Sequence, residues 1–237
     1  MKEIILGSII GTAVGDSLGL LYEGLPANRQ KKLYKNIDSQ KFFLGKGFIS
    51  DDTEHTLMVA HALYHSSGDE GTFSKYLAKS LRKWIISMPL GVGFASLRAC
   101  IKLLLGFSPE NSGVFSAGNG PAMRSALIGI LYGNDIEKMK SLVRISTRIT
   151  HTDPRAEIGA LTVAYAAFVV ATRKEVDPSS FYEGLKVLLI GYESLEFLKI
   201  IEEVVESVNN KESTKEYMER LGLRNGVSGY MYHTVPA

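Results

Sequence analysis

From about residue 155 to 172 the sequence runs almost without a polar side chain, and from Ala160 to Val170 nearly every position is apolar or small. A helix that is apolar all round belongs inside a protein, wrapped by other elements. Thr150-His151-Thr152-Asp153 leads into it, and Pro154 stands at its first turn, where a missing N–H costs nothing. Around it, apolar residues recur at helical spacing in segments of about 2–23, 52–65, 72–87, 94–105, 121–132, 135–149, 178–190, 194–208 and 213–221. In the segment at 72–87, Tyr76, Leu77, Leu81, Trp84 and Ile85 share one face; in that at 135–149, Met139, Leu142 and Val143 point inward. Few stretches alternate as strands do. The pattern predicts an all-α fold, a single compact multi-helix domain over 1–237 with 155–172 at its centre. No internal repeat, low-complexity segment or linker marks a boundary.

Composition bears on what such a domain can do. Hydrophobic residues make up 45% of 237 and charged residues 22%, enough for a sizeable core. The net charge is +2 and no basic cluster stands out, which argues against nucleic-acid binding but not against a nucleotide-sized ligand. The one cysteine, Cys100, excludes an internal disulfide and a Cys-based zinc site and fits a cytoplasmic setting. Met1 to Leu21 is apolar, but Asp16 would be costly in lipid and no cleavage site follows. We read it as a buried core helix rather than a membrane span, with Gly7, Gly11, Gly15 and Gly19 allowing another helix to pack closely.

Four places carry polar groups out of proportion to their surroundings. Ser50-Asp51-Asp52-Thr53 stands where a loop becomes a helix, an oxygen-rich corner of the kind hard cations such as Mg²⁺ or Mn²⁺ prefer. The same residues also suit helix capping, with Asp51 and Glu54 spaced as a capping box. Asp16 and Glu23 lie seven residues apart, on nearly one helical face, directed either to solvent or to a site. Ser116-Ala117-Gly118-Asn119-Gly120-Pro121 precedes a helix whose free N–H groups could bind a phosphate, or is a cap and turn. Thr150 to Asp153 opens the central helix. His55, His61, His65 and His233 fall in no such group and read as structural or surface residues. Helix ends in an all-α domain can converge on one cleft, so these groups point to a metal-assisted enzyme acting on a phosphorylated or sugar-bearing molecule.

In this order the segments resemble the motifs of a known family. Gly11-x-x-x-Gly15-Asp16-Ser17-Leu18-Gly19 with Glu23, Ser50-Asp51-Asp52-Thr53, Ser116 to Arg124, and Thr150-His151-x-x-Pro154-x-Ala156 are similar to those of the ADP-ribosylglycohydrolases. The resemblance implies a binuclear Mg or Mn centre that helps remove ADP-ribose from a modified protein or small molecule. It makes Ser50, Asp51 and Asp52 metal ligands and Glu23 a ligand or the acid/base. It places Ser116, Gly118 and Asn119 along the ADP-ribose pocket and His151 near its ribose or phosphates. Such proteins continue beyond Thr234-Val235-Pro236-Ala237 to a Gly-Gly-Asp-Thr-Asp-Thr motif that completes the metal sites. No Asp-x-Asp occurs in this sequence. The comparison therefore predicts a truncated relative that lacks its last helices. Apolar surface so exposed would invite a homo-oligomer, and the alternative to an enzyme is a relative that binds ADP-ribose or only keeps the fold.

Overall fold

The computed structural model describes residues 1–26, 29, 30, 32, 39–223 and 226–237. Among them, α1 (Lys2–Gly19), α2 (Asp51–Ser66), α3 (Glu70–Ile86), α4 (Phe94–Leu104) and the single turn α5 (Pro109–Ser112) come first. They are followed by α6 (Ala126–Tyr132), α7 (Ile136–Arg148), α8 (Pro154–Thr172), α9 (Pro178–Leu188), α10 (Leu195–Asn209), α11 (Thr214–Arg220) and α12 (Met231–Thr234). Phe43–Gly45 and Ala122–Arg124 form 3-10 turns. The described residues form no sheet; two isolated backbone bridges pair Val114 with His151 and Gly118 with Tyr230. The fold is all-α, as the periodicity predicts.

The apolar stretch is α8, capped by the Asp153 carboxylate, which accepts from the Arg155 backbone N–H at 2.9 Å. It packs against α6, α7, α9 and α12 and buries Ile158, Ala160, Leu161 and Ala164 completely. Its length and hydropathy would also suit a membrane span, but 56% of it is buried inside the protein, as in a core helix. The helix α6 can cross α8 so closely because residue 129 is glycine: a Cβ there would overlap the Ala164 backbone. A second layer pairs α2 with α3 through Val59, Leu63, Phe73, Leu77 and Leu81, all buried. Each such Leu or Phe stabilises the fold by about 1.5–3 kcal/mol. Tyr76 and Ile85 of the predicted α3 face are only partly buried at its margin.

The helix at the start of the chain departs from expectation. It ends at Gly19, and Glu23 lies in the turn that follows. It is not a buried core helix: Ser17 is its one buried residue, while Leu6 and Ile10 are each 52% exposed and Val14 is 47% exposed. Nor do its glycines pack tightly, since a Cβ at Gly7, Gly11, Gly15 or Gly19 would meet nothing within 4 Å among the described residues. The helix is apolar on nearly every side, so its pattern carried little information about which face is covered. Only the side bearing Ile5 and Ile9 rests on the core, against α2 and α6.

Smaller differences are local. The loop expected at 108–119 contains α5, and the helix expected at 121–132 opens with a 3-10 turn before α6. The tail is anchored: Met231 is fully buried against Gly159 of α8, where a Cβ would strike its side chain. Of residues 29–35, only Arg29, Gln30 and Lys32 are described; the others lie outside the described residues.

The two kinds of glycine make opposite forecasts. Gly129→Ala is expected to cost about 3 kcal/mol through overpacking. Gly11→Ala should stabilise by about 0.5–1 kcal/mol, because a mid-helix glycine with open space gains helix propensity. Thermal unfolding of the two variants checks this; a loss of stability in Gly11→Ala would mean that the face of α1 is covered after all.

Candidate functional site

The start of α2 is held by a residue from another helix. Ser50 occupies the N-cap position but makes no side-chain cap of its own. Instead the Asp16 carboxylate, on the last turns of α1, accepts from the Ser50 N–H at 2.8 Å and the Thr53 N–H at 3.2 Å. It also accepts from the Ser50 and Thr53 hydroxyls at 2.7 and 2.5 Å. A negative group at a helix N-terminus satisfies orphan N–H groups and complements the dipole. The capping box expected from Asp51 and Glu54 does not form; Glu54 accepts from the Trp84 indole N–H at 2.6 Å.

Relieved of capping, Asp51 and Asp52 turn to a cavity of about 330 Å³. Glu23, Ser116, Gly118, Asn119 and His151 line the same cavity. Of the eight residues to which the resemblance gives a site role, only Ser50 stays outside it, buried with its hydroxyl donated to Asp16. A larger cleft of about 930 Å³ opens alongside and shares Glu23, Asp52, Asn119 and Met123 with the smaller one. The two are lobes of one site with carboxylates at their junction. Asp16, Gly15 and Gly19 line the larger lobe, so part of the glycine stripe leaves room for a ligand rather than for a helix.

The electrostatics of this corner are lopsided. Among the described residues lining either lobe there is no Lys or Arg. Burial, with Asp52, Glu23 and Asp16 nearby, pushes the Asp51 carboxyl up to about 7. Burial, Asp16 and Glu23 push Asp52 up to about 6. Gly91 lies directly under Asp51, where a Cβ would overlap the carboxylate.

The opposite wall is built from backbone. The Val114 N–H donates to the Thr150 carbonyl, and the Thr152 N–H donates to the Val114 carbonyl. The Asn119 N–H donates to the Gly229 carbonyl and the Met231 N–H to the Ala117 carbonyl. The polar loop is thus stitched both to the entry of α8 and to the tail. Gly118 and Gly120 lie against the His151 imidazole, each so near that a Cβ would come within 3.0–3.1 Å of the ring. Burial and the Arg124 charge lower the His151 pKa to about 3, so the ring is neutral. Behind it sits Arg124, 1% exposed.

Arg124, Gly91 and Gly229 were given no functional role by sequence reasoning. Gly91 and Gly229 look like ordinary breakers; Arg124 closes the motif-like segment Ser116 to Arg124, a signal that marks the residue without giving its part. His55 is fully buried, its Nδ1 accepting from Arg124 Nη1 at 2.7 Å and its ring edge-on to Trp84, in keeping with a structural part. His61 and His65 lie together on the exposed side of α2, away from the cavity.

Because ionisation of Asp51 is harder in the fold than in the unfolded chain, the metal-free protein loses stability as pH rises from about 4 through 7. Asp51→Asn removes that penalty. Its melting temperature without divalent cations is expected to match the parent near pH 4 and to exceed it by a few degrees at pH 8. Calorimetric scans across that range check it; a variant no more stable at pH 8 would show that the carboxylate is not strained by its neighbours.

The ADP-ribosylglycohydrolase family pattern matches residues 1–237. An uncharacterised protein of Archaeoglobus fulgidus is 32% identical over 171 residues, 70% of this chain and 55% of that protein. ADP-ribosyl-[dinitrogen reductase] glycohydrolase of Rhodospirillum rubrum is 31% identical, over 67% of this chain and 54% of its own. ADP-ribosylhydrolase ARH3 of Gallus gallus is 28% identical, over 76% and 53%. The chain thus spans about half the length of the curated relatives it matches. A solved structure, described as an ADP-ribosylglycohydrolase-related protein complex, superimposes with a TM-score of 0.68 over 98% of this chain and 83% of that one, at 22% identity, and so shares its fold. By sequence pattern along the whole chain and by its all-helical architecture, the protein belongs to the ADP-ribosylglycohydrolase family.

Proposed function

We propose that the chain is a hydrolase that releases ADP-ribose from an ADP-ribosylated side chain or small molecule, in the two-lobed cleft. The observation that carries this reading is the small lobe, where Glu23, Asp51 and Asp52 face Ser116, Gly118, Asn119 and His151 across one cavity. Cleaving a glycosidic bond builds positive charge at the anomeric carbon. Carboxylates on one wall offset that charge, while amide and imidazole groups on the other bind sugar and phosphate oxygens. Glu23, exposed at the junction of the lobes, is placed to pass a proton to the departing group or take one from water.

The donor set fits one hard divalent cation, Mg²⁺ or Mn²⁺. Asp51 and Asp52 would hold it with Glu23 nearby; burial first, and then the neighbouring carboxylates, raise their pKa values, a cost that a bound cation would offset. A bound cation supplies Lewis acidity and makes a coordinated water easier to ionise. Ser50, the further ligand expected from the resemblance, is 1% exposed and outside the cavity lining; its hydroxyl hydrogen goes to Asp16, which leaves the oxygen lone pairs for a cation. Cys100, the sole thiol, is buried, and a cytoplasmic setting belongs to the same proposal.

A second reading, a relative that binds ADP-ribose without cleaving it, is favoured by one observation. Among the described residues no three His, Cys, Asp or Glu side chains converge as a metal site. The purified chain, given ADP-ribosyl-arginine with Mg²⁺ or Mn²⁺, should release ADP-ribose, stop on addition of chelator, and lose at least about a hundredfold in Asp51→Ala. ADP-ribose binding without release selects the second reading. Undiminished cation-dependent release by Asp51→Ala would remove Asp51 from the reaction.

A further inference from the structure

Arg124 is an arginine without an acid. It is the largest fully buried side chain, and among the described residues no carboxylate forms an ion pair with it. Burial lowers its pKa to about 10, so it keeps its charge at neutral pH. Leaving a buried charge unpaired is expensive, and the guanidinium compensates through fixed neutral acceptors. Nε donates to Ser146 Oγ at 3.1 Å, and Nη2 to the Ser146 carbonyl at 2.7 Å. Nη1 donates to His55 Nδ1 at 2.7 Å, and Nη2 also to Thr150 Oγ1 at 2.6 Å.

The last of these bonds reaches the site. Thr150 Oγ1 spends a lone pair on Arg124, so its single hydrogen must go elsewhere. Two partners lie in reach: the Thr147 carbonyl at 3.4 Å, which can only accept, and His151 Nδ1 at 2.9 Å, which accepts in the Nε2–H tautomer and donates in the other. The nearer is favoured by hydrogen-bond geometry. A His151 Nδ1 that accepts must carry its proton on Nε2, the atom that lies against Gly118 and borders the small lobe.

We propose that Arg124 is a positioning residue which, through the Thr150 hydroxyl, locks His151 as a neutral Nε2–H imidazole and so makes it a fixed hydrogen-bond donor to a phosphate or ribose oxygen in the small lobe. The donor role rests on the functional reading above; the locked tautomer does not. The design resembles a second coordination shell without a metal: a buried cation sets a hydroxyl, the hydroxyl sets a ring, and the ring presents one hydrogen to the cavity. The arginine also places positive charge behind the wall opposite the carboxylates, where an anionic ligand needs it.

Nitrogen NMR of the whole chain, labelled at histidine, reads the tautomer directly. Wild-type His151 is expected to be a single neutral Nε2–H species from pH 8 to pH 5. Thr150→Ser keeps the relay and should leave it so, whereas Thr150→Val and Arg124→Lys should each admit the Nδ1–H form. The Thr150 variants test the relay even if the Arg124 variant does not fold. ADP-ribose, titrated by calorimetry, should bind Thr150→Val about tenfold more weakly, the loss of roughly one hydrogen bond. A wild-type Nδ1–H signal, or a tautomer unmoved by Thr150→Val, overturns the inference. Expected tautomers in a protein that binds no ADP-ribose would uphold the positioning role and sink the functional reading instead.

Discussion

The site depends on one carboxylate doing the work of another. At the start of α2 the sequence offers two aspartates, either of which could cap the helix, and the fold uses neither. Asp16 reaches across from α1 and takes four hydrogen bonds from Ser50 and Thr53. The helix is satisfied by an outside group, and Asp51 and Asp52 are left to face the cavity. The same contact ties α1 to α2, which explains how a helix with so little buried surface keeps its place. It also adds a negative charge to the corner, part of what raises both aspartates' pKa values. The interaction that frees the two aspartates is therefore one of those that make their ionisation costly.

Charge is distributed across the cleft in two registers. On one side, carboxylates border open space and await a partner from solution. On the other, Arg124 is sealed beneath the loop and acts only through groups that touch it. A buried cation beside neutral acceptors can shape hydrogen-bond direction without competing for the ligand itself. His151, neutral and pinned between two glycines, is the point where that influence reaches the cavity.

Much of this was legible in the chain, for reasons that can be named. The apolar run that becomes α8 allowed only a central helix, and the amphipathic segments around it left little choice but an all-α wrap. The candidate residues were found because polar groups at helix starts stood out against apolar neighbours, and their order matched a family. What remained illegible was long-range or hidden by uniformity. Nothing local says that Asp16 rather than Asp51 caps α2, because the capping residue is 34 positions from the Ser50 it serves. A helix as evenly apolar as α1 has no pattern to tell its covered side from its bare one. Arg124 ends a motif-like segment, but its burial shows only when Ser146, Thr150 and His55 are seen to close over it.

The stitching of the polar loop to the tail has a further consequence, in the order of events during folding. Asn119 pairs with Gly229 and Met231 with Ala117, partners more than a hundred residues apart. The acid corner needs only α1 and α2, which come together over a short span of chain. Closing the opposite wall must wait until residues 229–231 exist and have docked on α8. Long-range pairings of this kind form late, because chain entropy is spent before any contact repays it. The two halves of the site are thus made at different times. The wall at Ala117 and Asn119 closes only once the tail has docked, and opens when the tail lifts.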